Sequence, residues 1–483
     1  VTTSRARRTA AALLVPAVAG TAATAAERPL PSDAPPARAA TGPVFRPGAA
    51  GAGDPYFPKA GNGGYDVRRY DVSLRYRPGP AGPHIAGRAT VTATATQNLS
   101  RFDLDLVGHR VGGVTVNGRA AAFRREGQEL IVTPAAGIPK GARFTVTVRY
   151  AGRPKSLNDR GLGRTGWIDT ADGAGTLSQP LGSATWFPLN DHPSDKAAHS
   201  FTVEVPKGLR VVANGEPGRT TRTAGGTVFR WRSEQPMAGY LALLAIGRFT
   251  VHDGRTPQGV RMVTAVDPTV SPDTEWLPRT TGTVTDGLAR IFGPYPFAST
   301  GGVIDDLPVG YALETQNRPS YPGGANTTLV VHELAHQWFG NSVSVRRWQD
   351  VWLNEGFATY AEWLWSERTG GASTARHFAA AYDRPADFAG WRRPTGAPGR
   401  KGMFEFFPVY TRGAMTVHAL RTTVGDPAFF KILKSWPTAR RHRHATTADF
   451  VAHAEKVSGK RLGGLFRTWL FTPGKPVWPP KPS

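Results

Sequence analysis

Two histidines one helical turn apart, with a glutamate between them and a second glutamate downstream, carry the chemistry of this chain. In residues 326–362, NTTLVVHELAHQWFGNSVSVRRWQDVWLNEGFATYAE, His332, Glu333 and His336 form H-E-x-x-H, and Glu355 follows His336 after 18 intervening residues. On an α-helix, positions i and i+4 share a face, so both imidazoles reach one ion and Glu333 stands beside them. Asn326 or Thr327 is placed to cap that helix, and Gly340 to follow its last turn. The apolar period of residues 351–369, ending at Gly370-Gly371, predicts a second helix with Glu355 in its first turn. Zinc in hydrolases is typically held by three protein ligands, with the fourth position open to water. His332, His336 and Glu355 supply the three for one Zn²⁺. Glu333 is not a ligand, and is placed to take a proton from the attacking water and deliver it to a leaving amine. An isolated H-E-x-x-H is compatible with an ordinary pair of structural histidines; the third donor on its own helix favours the metal site.

HELAHQWFGNSV followed by WLNEGFATYAEWL resembles the zinc-binding segment of the M1 zinc aminopeptidases. Further residues take their expected roles from that resemblance. Tyr410, in VYTRGAM, matches the tyrosine that stabilises the tetrahedral intermediate, by donating a hydrogen bond to the oxyanion. Glu314, in YALET, occupies the place of the glutamate in the family's G-x-M-E-N segment, which binds the substrate's free α-amine. Here Tyr311 stands for the glycine, Leu313 for the methionine and Thr315 for the asparagine. Gln179 matches a glutamine that helps line the first substrate pocket, against the alternative of an ordinary loop amide. The resemblance runs from about residue 54 to about residue 477.

The elements that must position these residues read as an α+β multidomain chain. Residues 1–26 carry Arg5, Arg7 and Arg8, a short apolar run and small residues, the pattern of a secretory signal peptide. Residues 27–62 are rich in Pro, Ala and Gly and read as a flexible linker. Across residues 63–250, short alternating runs such as 70–76, 89–96, 102–106, 114–116 and 144–150 predict a β-sandwich or saddle domain. Residues 251–483 hold helical periodicity at 279–292, 376–382 and 412–423. Apolar runs at 301–304 and 307–313 suit strands edging a cleft. The resemblance implies that this part is a thermolysin-like, mainly α catalytic domain with a short helical end, lacking the long helical domain of many members. His377 and His418 each stand alone on a helical pattern, and Asp191-His192 reads as structural.

The chain has 59 Lys and Arg against 36 Asp and Glu, a net charge of +23, and no cysteine, so disulfides are excluded. Its arginines are scattered, with local clusters at Arg392-Arg393 and residues 440–443, and no nucleic-acid motif accompanies them. The expectation is a basic surface held near anionic cell-envelope polymers, without specific nucleic-acid binding. The leader predicts secretion, the resemblance implies an enzyme acting on peptides with a free N-terminus, and a monomer is expected. The alternatives are an endopeptidase or epoxide hydrolase on the same site, or a peptide- or polyanion-binding protein without catalysis.

Overall fold

The computed structural model describes residues 43–478; the expected signal peptide lies outside them. A nine-stranded, mostly antiparallel sheet forms the floor of the β-rich part. Its centre is Tyr65–Arg77, which pairs antiparallel with His84–Ala95 and parallel with Lys196–Val205. Arg143–Gly152 and Arg110–Val116 extend one side, and Gly226–Ala238 the other. Phe144, Val146, Val148 and Tyr150 face the core, as their period of two requires. The strand expected at 70–76 begins five residues earlier, at Tyr65, and a bulge between Val67 and Arg69 breaks the alternation there. The β-rich architecture of this half matches the expectation.

A five-stranded sheet, Ser156–Asp159, Gly163–Asp169, Ala174–Leu177, Leu244–Gly247 and Arg210–Ala213, leads toward the site. Beyond it, Thr250–Arg255, Arg261–Val266, Ser299–Asp305 and Ser320–Pro322 make a four-stranded sheet. Helices follow: α1 (Trp276–Phe292), α2 (Thr327–Ala335), α3 (Trp352–Arg368), α4 (Thr374–Tyr382), α5 (Arg412–Val424), α6 (Asp426–Ala439) and α7 (Thr447–Ser458). No helix among the described residues is long and apolar enough to cross a membrane.

Two expectations are corrected. Residues 43–62 are not a flexible linker: Arg46–Pro47 pairs with Leu99–Asp105, and Asp54 and Phe57 are buried. Asp54 Oδ2 accepts from the Trp348 amide at 2.8 Å and lies 3.3 Å from His192 Nε2, which ties this segment to both halves of the chain. The Pro/Gly composition here encodes turns that pack, not a solvated coil. Residues 307–313 form no strand beyond a single bridge from Leu313 to Ser320. Pro308 and Gly310 interrupt the run, and Leu307 and Leu313 instead fill a small core with Ile168 and Leu177.

Candidate active site

Helix α2 starts as predicted: the Asn326 side chain accepts from the Leu329 amide at 2.9 Å. Its regular part stops at Ala335, one residue before the second histidine, and the chain turns more loosely into Gly340 at φ +130°. A Cβ at Gly340 would lie 3.2 Å from Asn354 Cγ and 3.3 Å from His336 Nδ1, so glycine lets the turn pass close beneath the second histidine. His336 Nδ1 pairs with the Phe339 carbonyl at 3.1 Å, and His332 Nδ1 with Glu362 Oε1 at 2.6 Å. These contacts make each Nδ1 the donor and leave each Nε2 lone pair free. Glu362 escaped the sequence reading. Its signal was present: seven residues beyond Glu355 it returns to the same face of α3.

The Nε2 atoms of His332 and His336 each lie 3.4 Å from Glu355 Oε2. Tetrahedral zinc with bonds of about 2.0–2.1 Å spaces its donors about 3.4 Å apart. Three buried donors therefore stand at ligand spacing, and they form the candidate zinc-binding group. Their charges agree. Burial alone would raise the Glu355 carboxyl, but His336 and His332 hold it at about 2. Burial opposes protonation of His336, yet Glu355 and Glu314 lift it to about 9. The carboxylates of the pocket draw protons onto the imidazoles, a part that a divalent cation on the same atoms would take over. Glu314, Glu333 and His336 also converge within 4.8 Å; this set shares His336 and is the facing wall of the same site.

That site is a cavity of about 360 Å³ in which Gln179, Glu314, His332, Glu333, His336, Glu355 and Tyr410 all take part. Every residue expected to act is thus brought together. Gln179 Nε2 donates to Glu314 Oε1 at 3.0 Å. The Glu314 carbonyl accepts from Asn341 Nδ2 at 2.6 Å and from Gln337 Nε2 at 3.4 Å, so two residues of HELAHQWFGN fix the irregular segment that carries Glu314. Lys196, half-buried on the large sheet, donates to the carbonyls of Asn341 and Ser342 at 2.7 and 2.9 Å. Burial pushes Glu333 up to about 7, although His332 and His336 pull it down, which suits a base near neutrality. Tyr410 sits on a π-helical turn, Phe406–Thr411, at the start of α5. Its ring stacks on His332 with centroids 6.0 Å apart and under Phe406 at 5.6 Å. Burial, then Glu355, Glu314 and Glu333, raise its phenol well above the usual value, so it stays a donor. The lone histidines lie elsewhere: His377 stacks on Trp363, and His418 Nδ1 meets the Tyr360 hydroxyl at 3.3 Å. Asp191 and His192 do not pair with each other; Asp191 accepts from the Ala184 amide and His192 holds Asp54 and Ser194.

Residues 67–241 match the model of the peptidase M1 N-terminal domain and residues 312–469 that of the peptidase family M1 domain. The M1 zinc metallopeptidase of Deinococcus radiodurans superposes with a TM-score of 0.82 at 32% identity, over 89% of this chain and all of that one. The chain belongs to peptidase family M1. A mutant of the same Deinococcus enzyme, bound to a Tyr-Ser-Ala substrate, matches this M1 chain at 31% identity and a TM-score of 0.81, over 88% of this chain and 99% of that one. Aminopeptidase M1-D of Oryza sativa is 28% identical over 85% of the M1 chain and 50% of its own length. Leucine aminopeptidase 2 of Aspergillus clavatus is 26% identical over 63% and 53%. The M1 chain spans about half the length of these aminopeptidases.

Proposed function

We propose that the chain is a zinc-dependent aminopeptidase. One observation carries the reading: the Glu314 carboxylate, hydrogen-bonded to Gln179, lines the same cavity as the three donors and Glu333. A fixed carboxylate at this place pairs with a substrate's terminal ammonium and sets the first peptide bond before the reacting groups. Bound to His332, His336 and Glu355, zinc supplies Lewis-acid polarisation of the carbonyl and lowers the pKa of water to about 7. Glu333 takes a proton from the attacking water and passes it to the departing amine. Tyr410 donates its O–H to the developing oxyanion. The test compares matched peptides with free and acetylated N-termini, each with and without a zinc chelator. Chelator-sensitive release of the first residue from the free peptide alone is expected. Cleavage of both peptides would overturn the amine anchor in favour of an endopeptidase.

We further propose that the enzyme is exported, works as a monomer and rests on anionic envelope polymers. The leader-like pattern of residues 1–26 and the charge of +23 support this. Retention on isolated envelopes should weaken as salt is added; salt-insensitive retention would count against it.

A further inference from the structure

Far from the zinc-site residues in sequence, the exposed face of the large sheet carries a trough of about 630 Å³ lined by Arg75, Arg88, Arg110 and Arg149. The register explains how it forms. Arg75 stands opposite Ala86, Ala86 opposite Ala151, and Ala151 opposite Arg110, so one row across four strands runs Arg-Ala-Ala-Arg. In the neighbouring row Arg88 faces Arg149 directly. Two alanines thus form a floor with guanidinium groups around it. Directly opposed like charges destabilise a strand pair, and Arg88, Arg149 and Arg110 make no ion pair among the described residues. Glu204, the one carboxylate lining the trough, is already held by Arg75 and Arg77 at 2.9 Å each.

We propose that this trough is a docking site for a linear, base-free phosphate polymer. Guanidinium forks match phosphate oxygens in paired hydrogen bonds. The row from Arg75 to Arg110 crosses three strand spacings, roughly 14 Å, more than one phosphate group bridges. Stacking platforms for nucleic-acid bases are absent here: Tyr150 is the aromatic in the lining, it is 3% exposed, and its hydroxyl is spent on the Trp186 carbonyl. The proposal deepens the envelope-polymer reading by giving it one place on the fold, and is independent of the peptidase reading.

The test measures binding of long-chain inorganic polyphosphate to the full chain, with an oligodeoxynucleotide of matched charge as comparison. Arg88→Gln/Arg149→Gln is set against Arg376→Gln/Arg443→Gln, which removes the same charge from exposed arginines elsewhere. Expected are a loss of at least tenfold in the trough variant, under threefold in the control, and weaker binding of the oligonucleotide. Polyphosphate should also raise the melting temperature of the wild type and not of the trough variant, whose own melting temperature and peptidase activity should not fall. Equal losses in both variants would overturn the site while leaving a diffuse attraction to polymers intact. An oligonucleotide bound as tightly, with the same loss in the trough variant, would overturn the base-free ligand. Absence of binding at low salt would overturn both the site and the envelope-polymer reading.

Discussion

Gly356 and Gly413 meet backbone to backbone where α3 crosses α5: a Cβ on Gly356 would lie 2.8 Å from the carbonyl carbon of Gly413, and one on Gly413 2.8 Å from Gly356 Cα. This crossing brings Glu355, the residue before Gly356, into the same pocket as Tyr410, three residues before Gly413. Backbone atoms cannot swing away as a flexible side chain can. Gly356→Ala should therefore destabilise the chain by about 1–3 kcal/mol and lower both zinc affinity and kcat. Thermal melting with a metal titration checks it; an unchanged melting temperature would refute the crossing as a constraint.

Glu362 orients His332 from behind, through the 2.6 Å contact at Nδ1. Glu362→Ala should weaken zinc binding by about 10–100-fold, measured by chelator competition, with Glu362→Gln recovering part of the loss.

Glu333 and Tyr410 should separate binding from chemistry. Glu333→Gln is expected to keep zinc and lose turnover. Tyr410→Phe should lower kcat by about 10²–10³-fold, as removal of an oxyanion donor does, with a much smaller change in KM. Full turnover in the Glu333 variant would remove the proposed proton carrier.

Gln179→Ala removes the 3.0 Å hydrogen bond to Glu314. A hydrogen bond to a charged group contributes about 1.5 kcal/mol, or about tenfold. The expected result is a KM raised by about that factor on peptides with a free N-terminus.

His199 lies in an aromatic setting with Tyr70, Phe187 and Phe201, and its Nε2 has no hydrogen-bond partner. Burial holds its folded pKa at about 4, below the ordinary 6.5. Between these values the unfolded chain binds more protons than the folded one, so this residue's contribution to stability falls as pH drops from 6.5 to 4. His199→Phe should remove that part of the slope. Comparing unfolding midpoints of the two proteins at pH 4, 5, 6 and 7 tests it: the advantage of the variant should grow toward acid.

The zinc donors were legible because the 3.6-residue helical repeat alone brings His332 and His336 to one face and sets Glu333 beside them. The large sheet was legible for the same kind of reason, since the alternation in residues 144–150 dictates which side is buried. Tyr410, Glu314 and Gln179 could be named through family resemblance, but no local period brings them together: Gln179 and Glu314 are 135 residues apart and meet because the five-stranded sheet delivers one and the irregular segment held by Gln337 and Asn341 the other. The packing of residues 43–62, the glycine crossing of α3 and α5, and the Arg-Ala-Ala-Arg row likewise depend on which surfaces meet. Sequence by itself determined the local geometry and the donor chemistry; tertiary structure decided the cavity, because contacts between distant segments are selected by packing of the whole core and not by the repeat of any one element.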